Sequence, residues 1–116
     1  MRNCNQIDLI VQDVPKAAHF FRDIVGLTLR VDEPRFAEID GNSITLMLSS
    51  EALIPMQPAS GVILHVEVED VVQALKHAQS AGATVLLERT KTDWGTESAM
   101  IAGPENIVID FYRWAK

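Results

Sequence analysis

The sequence predicts an α+β fold made of two tandem βαβββ modules, whose curled mixed sheets enclose a cavity and carry their helices on the outer faces. Three observations predict it. The pair Asp13-Val14 recurs as Asp70-Val71, 57 residues further on, each time before a helical segment. Both segments open on an aspartate able to cap a helix start and close on a glycine, Gly26 or Gly82, where a left-handed residue ends a helix. The flanking stretches alternate apolar and polar side chains with the period of two that marks a strand with one buried face.

Residues 7–11 read as the first strand. Residues 14–25 follow as a helix, in which Pro15 occupies the first turn without costing a hydrogen bond and Ala17, Phe21 and Ile24 form an apolar stripe. Residues 28–33, 35–39 and 43–48 read as three strands, broken at Pro34 and at Asp40-Gly41-Asn42. Residues 51–61, with Pro55, Pro58 and Gly61, read as a linker. One domain over 1–116 thus divides into module one, about 1–50, and module two, about 62–116. In the second module residues 62–68 are a strand and 71–81 a helix with Val71, Ala74, Leu75 and Ala78 on its stripe. Residues 84–88, 98–102 and 107–112 are the remaining strands, separated by a loop holding Trp94-Gly95 and by the turn Gly103-Pro104-Glu105-Asn106.

A chain of 116 residues with 47% hydrophobic content buries enough surface for an ordinary core, and its apolar runs are strand-sized rather than membrane-length. A membrane partner is therefore not expected. Cys4 is the only cysteine, which excludes an internal disulfide and cysteine-pair redox chemistry. The net charge of −6, with scattered Lys and Arg, argues against nucleic acid. The first residues enter a strand pattern without the apolar stretch of a signal peptide, so a cytoplasmic location is expected.

Alternation splits each flanking strand into two faces. One face is uniformly apolar: Ile7, Leu9 and Val11; Ile44, Leu46 and Leu48; Val62, Leu64, Val66 and Val68; Ile107, Ile109 and Phe111. These should lie beneath the helices. The opposite face carries Gln6, Asp8 and Ile10; Thr45, Met47 and Ser49; Ile63, His65 and Glu67; Val108, Asp110 and Tyr112. A mixed polar face can simply be the wet side of a sheet. If the uncovered faces of the two modules curl into a shared cleft, it becomes a small-molecule cavity lined by Asp8, His65, Glu67 and Asp110. Trp94, on a glycine-containing loop, would fold over the mouth and stack on an aromatic or cationic ligand. His19 and His77 fall off the apolar stripes and read as solvated, while Trp114 reads as a core or interface residue.

These residues resemble the vicinal oxygen chelate superfamily of glyoxalase I, bleomycin-resistance proteins, methylmalonyl-CoA epimerases and extradiol dioxygenases. The similarity is carried by Asp13-Val14, by the run Phe20-Phe21-Arg22-Asp23-Ile24-Val25-Gly26-Leu27, by Val66-Glu67-Val68-Glu69-Asp70-Val71, by Trp94-Gly95 and by Gly103-Pro104-Glu105-Asn106. It implies paired βαβββ modules around a cavity, and a homodimer. In metal-using members, ligands come from the first and last strand of each module, and the matching positions here are Gln6, Met47, Ile63 and Asp110. Only Gln6 and Asp110 offer hard oxygen donors, so no cofactor is expected with the family's ligand set. If a divalent metal binds, the rearranged ligands would be His65, Glu67 and Asp110.

The incomplete set favours a binding protein of the bleomycin-resistance type, with Gln6, Asp8, Met47, Trp94 and Tyr112 contacting a small-molecule ligand. The alternative is a lyase, isomerase or epimerase, with or without metal. There Glu67 or Asp110 would abstract a proton beside a carbonyl and His65 or Tyr112 would polarise the oxygen. Extradiol dioxygenase chemistry fits less well, because this face offers one histidine.

Overall fold

The computed structural model describes residues 1–115 and shows the repeated architecture in both halves. A first compact unit spans Met1–Ala59 and a second begins at Ser60. Module one runs β1 (Gln6–Ile10), α1 (Val14–Phe20), a π turn (Phe21–Val25), β2 (Thr28–Asp32), β3 (Phe36–Asp40) and β4 (Thr45–Ser49). Its sheet has the order β1-β4-β3-β2, with β1 parallel to β4 and the other pairs antiparallel. Module two repeats the plan with β5 (Val62–Glu67), α2 (Val71–Ser80), β6 (Val85–Lys91), β7 (Thr96–Ala102) and β8 (Ile107–Trp114), ordered β5-β8-β7-β6. Each is a four-stranded mixed sheet with one helix against one face.

The helix ends form as their residues dictate. Asp13 Oδ1 accepts from the Lys16 amide at 3.1 Å and Asp70 Oδ1 from the Gln73 amide at 3.0 Å, each satisfying a donor with no helical partner. Gly26 and Gly82 take left-handed φ values of 86° and 97°. The Ala83 amide donates to the Ala78 carbonyl at 2.9 Å, closing α2 with a glycine-dependent reverse bond.

The apolar faces pack as expected on the inner strands, whereas Val62, Leu64, Val66 and Val68 on edge strand β5 and its continuation, and Ile7 on edge strand β1, are only half-buried because they have a strand neighbour on one side alone. Leu9, Val11, Ala37, Ile39, Leu46 and Leu48 are buried with Val14, Ala17, Ala18 and Phe21 in module one. Ala99, Ile101, Ile107, Ile109 and Phe111 are buried with Val71, Leu75 and Ala78 in module two. Both sheets centre on their last strand, which has a parallel neighbour on one side and an antiparallel one on the other.

Several expectations need correction. The single helix over 14–25 becomes α1 plus a π turn, because one turn of wider bonding is too short to disturb an apolar stripe. The sixth strand runs on to Lys91, through residues with no apolar alternation. It is an exposed edge strand with two register shifts, the kind of strand that charged residues and bulges protect. The eighth strand likewise continues to Trp114. Ile44, expected in the core, sits exposed ahead of β4. Ile10 and Ser49, assigned to the uncovered face, are buried; residues 50–56 lie beside Ile10, whose carbonyl accepts from the Ala59 amide at 2.9 Å.

The turn before each last strand is shaped by a glycine that backbone approaches closely. Gly41 donates to the Ile44 carbonyl at 2.9 Å and Gly103 to the Ile107 carbonyl at 2.8 Å. A Cβ would meet those same oxygens at 2.6 Å and 2.8 Å, closer than atoms pack without rearrangement. Gly41→Ala and Gly103→Ala are each expected to lower unfolding free energy by about 1–3 kcal/mol in urea titrations, the usual cost of overpacking. A cost below the error of the titration at both sites would contradict this reading of the turns. Among the described residues no helix is long and apolar enough to cross a membrane.

Candidate functional site

In module two the helix-free face of the sheet holds a cavity of about 570 Å³, within the range of small-molecule pockets. Its floor follows from strand register. His65 on β5, Asp110 on β8, Met100 on β7 and Leu87 on β6 stand in one row across the sheet, and Glu67, Tyr112, Ser98 and Thr90 in the next. Trp94 and Trp114 close one end, where the Ala115 amide donates to the Gly95 carbonyl at 2.8 Å and joins the end of β8 to the β6–β7 loop. That loop is shaped by Thr92, whose Oγ1 accepts from the Thr96 amide at 3.0 Å. Gly95, with φ of 96°, makes the reversal.

The centre of the floor is a His–Asp pair. Nδ1 of His65 lies 2.7 Å from Oδ2 of Asp110. Asp110 is only 3% exposed, because β8 is an inner strand flanked on both sides, whereas the His65 side chain on edge strand β5 is 59% exposed. An ionised carboxylate only accepts, so this bond places a proton on Nδ1, and in the neutral ring the lone pair is then on Nε2. Ser98 Oγ sits 3.5 Å from the same Oδ2. Oδ1 is buried with no hydrogen-bond partner among the described residues. The Tyr112 ring stands edge-on to His65, centroids 6.1 Å apart at 88°, and limits how the imidazole can turn.

Four of the sequence-predicted residues therefore meet in one pocket: His65, Asp110, Trp94 and Tyr112. Glu67, one row beyond His65, lines a neighbouring depression with Glu69 and Arg113 that shares Trp114 with the pocket. Gln6, Asp8 and Met47 belong to the helix-free face of module one, where Gln6 pairs in register with Thr45 and Asp8 with Met47. There Asp8 Oδ1 accepts from Ser49 Oγ at 2.8 Å, and Arg30 sits beside Glu38 and Asp40 while donating to Thr45 Oγ1 at 3.0 Å. His19, expected to be solvated, pairs with Asp32 at 3.0 Å on the surface. Trp114, expected in a core or interface, is 59% exposed and lines the pocket.

Sequence reasoning missed Trp114, Ser98 and Met100 as pocket residues. The signal was present: extending the alternation of β8 by two residues reaches Trp114, and splitting β7 by faces separates Ser98 and Met100 from Ala99 and Ile101.

The residues present do not fit the family's metal. Of its four positions, Ile63 carries no donor atom and Met47 a thioether, and Asp110 already engages His65 through one oxygen. In the alternative trio, Glu67 is not among the residues lining the His65–Asp110 pocket. No three His, Cys, Asp or Glu groups come together among the described residues.

Comparison with known proteins agrees with this architecture. Residues 3–111 match the family model of the Glyoxalase/Bleomycin resistance protein/Dioxygenase superfamily. A solved structure described as a conserved domain protein is 40% identical, with a TM-score of 0.89 over 97% of this chain and 99% of that one. TnmS3, an antibiotic binding protein from Streptomyces sp. CB03234, is 24% identical with a TM-score of 0.81, covering 99% and 98% of the two chains. TioX from Micromonospora sp. ML1 is 19% identical with a TM-score of 0.79, covering 97% and 99%.

Proposed function

The chain belongs to the Glyoxalase/Bleomycin resistance protein/Dioxygenase superfamily, and from that premise we propose that the module-two pocket binds a small organic molecule with a planar or cationic part. The observation that carries this reading is the pairing of two exposed tryptophans with a buried carboxylate in one cavity. Trp94 is 70% exposed and Trp114 59%, and both line this one pocket, so their apolar surface is grouped rather than scattered. Their rings offer stacking and cation–π surfaces, and Asp110 sets a buried carboxyl group beneath the floor. The antibiotic binding relative with the same fold supports this class of ligand.

Titration with ethidium or daunorubicin, both planar and cationic, should quench tryptophan fluorescence to saturation. Trp94→Ala and Trp114→Ala should each weaken binding about 5- to 10-fold, the worth of one aromatic contact. Absence of saturable quenching by either probe, and by an uncharged and an anionic aromatic probe run beside them, would sink the reading. By the same resemblance the protein is proposed to be a homodimer, which sedimentation velocity reads directly.

A second reading, an isomerase or lyase with a cavity carboxylate as general base, is favoured by one observation, the His65–Asp110 pair itself. Its geometry assigns the parts differently from the sequence expectation, because the carboxylate lies beneath the imidazole.

A further inference from the structure

We propose that His65, held by Asp110, is a general base that removes a proton from a molecule bound in the module-two pocket, giving this chain a metal-independent proton-transfer activity. The proposal rests on that pocket being the ligand site and adds chemistry to it. Its substrate class is a planar organic molecule with an acidic C–H beside a C=O or C=N group.

Three features of the pair support this. Asp110 at 2.7 Å fixes the Nδ1–H tautomer, so the basic Nε2 is the ring atom left for a ligand. The carboxylate is buried, its Oδ1 has no partner among the described residues, and the one other donor to Oδ2 is the long contact from Ser98 at 3.5 Å, so competition for it is weak when the ring becomes imidazolium. The ring itself is exposed at the pocket and braced by Tyr112. His19 supplies an internal contrast. It also pairs with an aspartate, at 3.0 Å, but both side chains there are about two-fifths exposed, at 43% and 42%, and neither lines this pocket. Of these two pairs, that of His65 is sheltered on one side and open to a cavity on the other.

In the step, Nε2 forms an N–H bond as the substrate C–H bond breaks, and the C–H electron pair moves into the neighbouring carbonyl to leave an enolate. Lys91 on the pocket wall supplies a cation for that oxygen. The imidazolium then returns the proton to either face of the same carbon, so racemisation or epimerisation results without oxidant, reductant or metal.

The test uses a probe that any well-placed base in an aromatic pocket can turn over. With 5-nitrobenzisoxazole, removal of the C3 proton forms the nitrile as the N–O bond breaks, and the released nitrophenolate is followed by its absorbance. Wild-type protein should show saturable turnover about 10²- to 10⁴-fold above free imidazole at equal concentration, the range for a positioned general base. His65→Gln should abolish that excess, and His19→Gln should retain it. Asp110→Asn should lose about 10-fold or more, as expected when the wrong tautomer is populated. Nitrogen-15 NMR should show His65 as the Nδ1–H tautomer in the wild type and shifted toward Nε2–H in Asp110→Asn, while the dispersed backbone amide spectrum of the variant shows that it is folded, since an unfolded histidine also favours Nε2–H. Tryptophan quenching by the probe separates the two failures. A probe that quenches but is not turned over, or turnover that survives in His65→Gln, overturns the general base and leaves the pocket. A probe that neither quenches nor reacts overturns both. An Nε2–H tautomer in the wild type overturns the base on its own.

Discussion

Truncating Phe111 to alanine is expected to lower the unfolding free energy by about 3–5 kcal/mol, the cost of deleting a large buried aromatic side chain. Phe111 is 1% exposed on β8, the strand with neighbours on both sides, and it faces the side of the sheet that α2 covers. Its register neighbours are Val66 on β5 and Ala99 on β7, and Ala99 is wholly buried. The small alanine leaves room for the ring, so no large side chain stands beside it on β7 to collapse into the space that truncation would leave. Stability of this size is a large fraction of what a small domain possesses. Urea unfolding should show a lower midpoint with an unchanged slope. A loss under 1 kcal/mol would mean that the module-two core rearranges freely around the ring. Module one pairs Leu48 with the wholly buried Ala37 in the same way, so the large-beside-small arrangement is part of the repeat.

Replacing Asp110 with valine is expected to raise stability, by about 1–2 kcal/mol, while removing the function of the pocket. Asp110 is buried on an inner strand with one good hydrogen bond, to His65, one long one, from Ser98, and an oxygen with none. A buried carboxylate so poorly satisfied costs desolvation that its contacts do not recover, and apolar replacements of such groups are often neutral or stabilising. Valine also suits an inner strand. Its imidazole partner, being more than half exposed, can turn to water when the carboxylate is gone. Thermal and urea unfolding of Asp110→Val beside the wild type measure the sign. A destabilisation of more than 1 kcal/mol would show that the His65–Asp110 bond holds β5 to β8. A gain would mark Asp110 as a residue kept for its chemistry.

The helices and most strands were legible because their signals are local. An aspartate caps from its own side chain, a glycine accepts a left-handed φ by itself, and alternation follows from the pleat. The site was legible only as a face. Alternation placed His65, Glu67, Asp110 and Tyr112 on one side, yet these residues have different surroundings. Asp110 is sealed by strands on both flanks, His65 looks out from an edge strand, and Glu67 falls into a different depression one row away. Strand order decides all of this, and nothing in the sequence of one strand reports which strand will lie beside it. The polar end of β6 was illegible for a related reason: solvated on its outer edge, it has no apolar period to read.

The sequence by itself determined the two βαβββ modules, the ends of their helices, the buried faces of their sheets and the poverty of donors at the family's metal positions. Only the tertiary structure decided that Asp110 sits beneath His65 with one oxygen unpaired, and that Trp94 and Trp114 close the same cavity. The physical reason is that propensity, capping and periodicity act over a few neighbouring residues. Burial, tautomer and pocket shape are set by residues brought together from distant parts of the chain, as His65 and Asp110 are, 45 positions apart.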